Sequence, residues 1–195
     1  MMAETAQVPG GFRLALVLGG TRSGKSRYGL SLAARFPEPR LFVATCEPGD
    51  AEMAARIDNH RKERGPHWET REAPLDLAAT LAEAQGGYGV VLVDCLTMWL
   101  SNLMLREGDN QAGIQAGCDR LAQTLAGSRT PTIVVSNEVG LGIVPDNPLA
   151  REFRDGAGAL HQRLARIADL VVLMVAGIPL VIKVGNLFEG DPNRV

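Results

Sequence analysis

The sequence predicts a three-layer α/β domain with a mostly parallel sheet and an antiparallel hairpin at one edge. Three features carry that expectation. Short apolar, β-branched runs alternate with helix-length amphipathic stretches, the pattern of strands joined by crossover helices. A glycine-rich turn joins the first run to the first amphipathic stretch. Two apolar runs then meet at Gly177-Ile178-Pro179, a connection too short for a crossover and suited to a hairpin.

The elements follow in chain order. Arg13–Leu18 reads as a buried strand, then a Gly-rich turn, then a helix over Lys25–Arg35 stopped near Pro37. Arg40–Thr45 is a second strand. Asp50–Arg64 reads as a helix with Asp50 as N-cap and Gly65-Pro66 as its end. His67–Ala73 is a short strand, Leu75–Ala84 a helix, and Gly89–Asp94 a strand followed by a helix over Thr97–Leu105. Arg106–Gly113 reads as a polar loop and Ile114–Ala126 as a helix. Thr132–Asn137 is a strand, Glu138–Pro148 a long Gly/Pro loop, and Leu149–Ala168 a helix. Leu170–Val175 and Pro179–Val184 form the hairpin.

A length of 195 residues corresponds to about one domain. Residues 13–185 are expected to form it, with 1–12 an N-terminal extension and 186–195 a tail. Apolar residues at 46% and charged residues at 22% exclude wholesale disorder. Twenty basic against 22 acidic residues leave a net charge of −2, so the basic footprint of a general nucleic-acid binder is missing. Cys46, Cys95 and Cys118 are too few and too scattered for a disulfide framework or a zinc site, and they fit a reduced, cytoplasmic compartment. The longest apolar run, Leu170–Ile182, is interrupted by Gly177 and Pro179 and falls short of the roughly 20 residues that span a bilayer. The first residues lack a basic segment followed by an apolar one, so no secretory signal is read there.

The strongest motif is Gly19-Gly20-Thr21-Arg22-Ser23-Gly24-Lys25-Ser26. It contains G-x-x-x-x-G-K-S after a strand and before a helix, the context the phosphate-binding reading requires. Glycines let successive N–H groups face one centre, and the helix start adds partial positive charge. Lys25 is placed for the β- and γ-phosphates and Ser26 for Mg²⁺. Asp94, at the end of an apolar strand, is the expected second Mg²⁺ ligand, its plainer reading being a helix N-cap. Together these establish nucleotide binding but not the reaction, and the fold class expected is a three-layer P-loop NTPase domain of RecA-like build. An N-K-x-D base-reading motif is absent, which argues against a regulatory GTPase.

In the Asp50–Arg64 helix, Met53, Ile57 and His60 share one face, with Arg56, Arg61 and Arg64 around it. A neutral imidazole can attack phosphorus, and guanidiniums can hold phosphate oxygens. Pattern alone favours the plainer reading, a histidine capping an apolar stripe.

Five blocks resemble the bifunctional adenosylcobinamide kinase/adenosylcobinamide-phosphate guanylyltransferase family of cobalamin biosynthesis. They are the phosphate loop, Val43–Glu47, Met53–Trp68, Val93–Leu103 and Ser136–Gly158, in family order over Leu14–Lys183. The resemblance implies two reactions. One transfers the γ-phosphoryl group of ATP or GTP to adenosylcobinamide. The other transfers GMP from GTP, by way of a histidine, onto adenosylcobinamide phosphate. It makes His60 the nucleophile. It also brings Ala44, Thr45, Cys46, Arg61, Lys62, Glu63, Arg64, Glu72 and Asp94 to the nucleotide, beside the loop residues. Mg²⁺ is the implied cofactor, GTP and ATP are co-substrates, and a homotrimer is implied. The chain departs from the family pattern in its extension, its tail, and Gly156 and His161, where a larger apolar residue and asparagine are usual.

Weaker signals surround these. Asn137-Glu138 ends a strand beside the Gly-rich loop and either shapes a turn or orients substrate or metal. Arg151, Arg154 and Arg163 read as a solvated helix face, His67 and His161 as structural, Trp99 as core or subunit contact, and the cysteines as small core residues. Two other functions stay open on sequence: a single-activity kinase or guanylyltransferase, and a RecA-type regulatory ATPase.

Overall fold

The computed structural model describes residues 11–46 and 67–185. It holds seven strands and, among the described residues, five helices: β1 (Leu14–Gly19), α1 (Lys25–Ala33), β2 (Arg40–Ala44), β3 (Trp68–Glu72), α2 (Leu77–Glu83), β4 (Val90–Asp94), α3 (Leu96–Glu107), α4 (Gln111–Ala126), β5 (Thr132–Asn137), α5 (Pro148–Ile167), β6 (Leu170–Val175) and β7 (Ile178–Val184). The expected helix over 50–64, with His60 and Arg61–Arg64, lies outside the described residues.

One sheet runs β3-β2-β4-β5-β1-β6-β7. Every pair is parallel except β6 with β7. Burial on both faces explains why β1 is apolar throughout rather than alternating. On one face Leu16, Val43, Val93 and Val134 pack against α2 to α5, with Trp99 and Leu100 at the centre. On the other, Val17, Leu92, Ile133 and Val135 pack against Leu32 and Ala33 of α1. The three layers and the edge hairpin are therefore as the sequence predicts.

Differences lie at helix ends. The Arg106–Gly113 stretch is mostly helical: α3 continues to Glu107, Gly108 turns the chain at φ 57°, and α4 starts at Gln111. Asn110 caps α4, its side chain accepting from Gly113 N, so polar residues that read as loop form a cap instead. Helix α2 starts two residues later than expected, because Leu75 O is taken by Trp99 Nε1 at 2.8 Å and Asp76 becomes the N-cap. In β7, a bulge opposite Val171/Val172 turns Lys183 inward, where Nζ donates to the Ala165 and Arg166 carbonyls at the end of α5.

Candidate active site

The site is built where β1 hands over to α1. Gly19 is buried at the end of β1, and a Cβ there would meet Ser23 Oγ and stand 2.8 Å from the Met174 carbonyl, so glycine is the residue that fits. Arg22 at φ 56° and Gly24 at φ 92° take left-handed conformations that curl the loop. Ser23 N closes the turn on Gly20 O at 3.2 Å. Gly24 caps α1 with no side-chain hydrogen bond, and the first turn holds no acid. The positive end of α1 is thus left to an external anion. Lys25 Nζ reaches back to Gly20 O at 3.2 Å and lies over the loop it would complete. Thr21 and Arg22 are exposed, and Ser26 is half-buried in the first turn of α1.

Of the remaining expected residues, those that the structure describes, Ala44–Cys46, Glu72 and Asp94, stand along the same carboxyl edge of the sheet. Ala44 is in register with Glu72 on one side and Asp94 on the other. Gly19 is in register with Asn137. Asp94 lies two strands from β1. Glu72 is exposed on the outer strand β3, four strands or roughly 20 Å from the phosphate loop, given strands about 4.8 Å apart. The structure therefore gathers Gly19–Ser26, Ala44–Cys46 and Asp94 into one edge and leaves Glu72 at its far end. Burial pushes the Cys95 thiol up and neighbouring Asp94 adds to this, while Lys25 acts in the opposite direction.

Beneath this edge is a polar network that sequence reasoning did not find. Thr45 Oγ1 donates to Cys95 O at 2.7 Å and accepts from Cys95 N at 2.8 Å. Asn102 Nδ2 donates to Thr45 O at 2.9 Å and Pro74 O at 3.2 Å. Asn137 Nδ2 donates to Thr97 Oγ1 at 3.0 Å. These bonds tie the ends of β2, β4 and β5 to α3. The one available signal was an asparagine within the apolar run of α3.

Beside it, His161 of α5 is buried, with Nε2 2.7 Å from Ser136 Oγ and Nδ1 3.9 Å from Glu138 Oε2. Burial holds its pKa below the usual imidazole range, and Glu138 partly opposes that. The structural reading of His161 stands, and Trp99, Cys95 and Cys118 are core residues as expected, whereas Cys46, just past the end of β2, is only half-buried. His67 is instead exposed and paired with Glu38 at 2.9 Å. Arg163 pairs with Asp119, and Arg151 holds the carbonyls of Pro145 and Asp146.

Oxygen donors suited to a hard divalent cation are present in Ser26 and Asp94. Among the described residues, no group of three or more His, Cys, Asp or Glu is placed to hold a metal alone. The set fits a cation carried largely by nucleotide phosphates, as Mg²⁺ is. Among the described residues, no helix is long and apolar enough to cross a membrane.

Comparison with solved structures shows the same fold in proteins of distant sequence. The type III secretion ATPase EscN from enteropathogenic E. coli gives a TM-score of 0.55 at 12% identity, covering 91% of this chain and 48% of that one. The flagellar accessory protein FlaH from Methanocaldococcus jannaschii gives 0.52 at 12%, covering 91% and 80%. Sequence relatives are nearer. The bifunctional adenosylcobalamin biosynthesis protein CobP of Pseudomonas aeruginosa is 46% identical over 169 residues, 86% of this chain and 96% of the relative. CobU of Salmonella typhimurium, also named a bifunctional adenosylcobalamin biosynthesis protein, is 41% identical over 179 residues, 86% and 98%. Residues 15–182 match the family described as cobinamide kinase / cobinamide phosphate guanyltransferase. With the phosphate loop, the strand-end acid and most of the chain inside that match, the chain belongs to the cobinamide kinase / cobinamide phosphate guanyltransferase family.

Proposed function

We propose that the chain performs both transfers on one nucleotide site. It moves the γ-phosphoryl group of ATP or GTP to the aminopropanol hydroxyl of adenosylcobinamide. It then moves GMP from GTP to that phosphate, giving adenosylcobinamide-GDP and pyrophosphate. The observation that carries this reading is the family match over residues 15–182, which encloses the loop, Asp94 and His60.

In the first reaction the loop N–H groups and Lys25 hold the β- and γ-phosphates while the hydroxyl attacks the γ-phosphorus. In the second, the His60 imidazole lone pair attacks the α-phosphorus and the bond to pyrophosphate breaks. An oxygen of the acceptor's phosphate then attacks the same phosphorus, and the P–N electron pair returns to the ring. Arg61, Lys62 and Arg64 offset charge on the leaving pyrophosphate. Glu63, Glu72 and the Ala44–Cys46 edge serve nucleotide positioning. Ser26 and Asp94 would hold Mg²⁺, which when bound neutralises phosphate charge. The same reading takes 13–185 as one transferase domain, with 1–12 and 186–195 outside it. It also takes the protein as a cytoplasmic homotrimer that acts on corrinoids and not on nucleic acid.

The test runs two assays in parallel on wild type, His60→Ala and Lys25→Ala. α-Labelled GTP reports protein-bound GMP, and γ-labelled nucleotide reports phosphorylated corrinoid. His60→Ala should lose GMP labelling and retain kinase activity, since phosphoryl transfer to a hydroxyl needs no covalent intermediate. Lys25→Ala should lose about 10²-fold or more in both, because its charge acts whichever bond breaks. GMP labelling retained in His60→Ala removes it as nucleophile.

A further inference from the structure

We infer that the loop between β5 and α5, residues 138–147, is the apolar seat for the corrin ring of the acceptor. The inference rests on the proposed transferase reading and extends it to substrate-binding residues. In this loop Leu141 is 84% exposed, Ile143 96% and Val144 59%, and Leu149 follows, exposed, in the first turn of α5. Four large apolar side chains exposed within the nine residues 141–149 exceed the scattered single exposures that need no explanation, and such clustering points to an interaction site.

The exposure does not come from a loose backbone. At the start, Glu138 Oε1 accepts from Gly140 N at 2.6 Å, and Val139 packs against the core. At the end, Arg151 Nη1 donates to Pro145 O at 2.9 Å and Asp146 O at 2.7 Å. Asn147 Oδ1 caps α5 by accepting from Ala150 N at 3.2 Å. Polar contacts thus hold the chain at both ends while its apolar side chains remain outside.

Position selects the occupant. Glu138 N donates to Gly19 O at 3.0 Å, so the loop rises directly from the seam with the phosphate loop. The acceptor's reacting hydroxyl hangs on a short arm from a broad ring with apolar faces and an amide rim. When that hydroxyl meets the γ-phosphate, the ring must rest beside the phosphate loop. Leu141, Ile143 and Val144 offer an apolar surface there, with Glu138 and Arg151 near the rim for amides.

The test uses the full chain with Ile143→Ser, Leu141→Ser and the double variant, and Ile143→Val as the conservative control. GMP self-labelling from α-labelled GTP needs no corrinoid, so it should match wild type in all four. The KM for adenosylcobinamide should rise about tenfold or more in the double variant, as expected for loss of two apolar contacts, with nucleotide KM unchanged. Ile143→Val should behave as wild type. A corrinoid KM within about twofold of wild type in the double variant overturns the assignment. A change in sedimentation overturns it too, placing this face between copies of the chain. A wild-type protein that labels with GMP but ignores adenosylcobinamide overturns the transferase reading and the seat with it.

Discussion

At the scale of one residue, His161 fixes the direction of a pH dependence. It is buried between Ser136 and Glu138, and burial depresses its pKa, with Glu138 opposing. The unfolded chain has an imidazole near the ordinary value of about 6.5 and binds a proton there, while the folded chain does not. Stability from this group is therefore complete above that value and is lost as pH falls toward the folded pKa. In His161→Asn, the drop in Tm between roughly pH 7.5 and 5.5 should be smaller than in wild type. An equal or larger drop in the variant would remove His161 as the source. Asparagine keeps a hydrogen-bonding group toward Ser136 and removes the titration, so the pH slope, not the absolute Tm, is the readout.

At the scale of elements, α3 shows what sequence does and does not disclose. β1, β4 and β5 were legible because strands buried on both faces are uninterrupted apolar runs. The phosphate loop was legible because its chemistry is local: eight consecutive residues contain the turn, the helix start and the lysine. The network under the site was not, because its partners are distant in sequence. Thr45 and Cys95 are separated by 50 positions and Asn102 and Thr45 by 57. Helix ends were missed where a cap, such as Asn110, reads as loop polarity. The GMP-accepting role proposed for His60 rests on resemblance, since pattern alone favoured packing. Asn102 offers the test at this scale. It ties α3 to the carbonyls of Thr45 and Pro74, and so fixes the end of β2 where nucleotide is expected. Asn102→Ala leaves both carbonyls short of a donor and should cost about 1–3 kcal/mol in denaturant unfolding. Nucleotide KM should also rise, since the Ala44–Cys46 edge loses its anchor. Unchanged stability together with unchanged KM would show that α3 does not position that edge.

At the scale of the whole molecule, the sheet ends on an apolar edge. Among the described residues, β7 is the outermost strand and pairs only with β6. Val175 lies opposite Ile178, and Leu173 opposite Leu180, so these four share one face of the hairpin. Val175, Ile178 and Leu180 are exposed, as is Ile182 at the bulge. Edge strands of monomeric proteins are usually guarded by outward charge or proline, which discourages pairing with another chain. Here Pro179 stands near the turn, and the single charge of β7, Lys183, is turned inward onto the end of α5. The far half of the strand therefore presents backbone groups and apolar side chains with no outward charge. That is the surface expected for the proposed homo-oligomer, in which a second copy covers the edge. Sedimentation equilibrium should give wild type a mass near three times 20.8 kDa at tens of micromolar, with a Tm that rises with concentration. Leu180→Lys would put an ammonium into that contact without touching the phosphate loop. It should shift the mass toward 20.8 kDa and make Tm independent of concentration. Ile143→Ser, on the loop assigned to corrinoid, should leave the mass unchanged. A wild type that sediments as one chain, or a Leu180→Lys variant that keeps the full assembly, would show that β7 is not the covered edge.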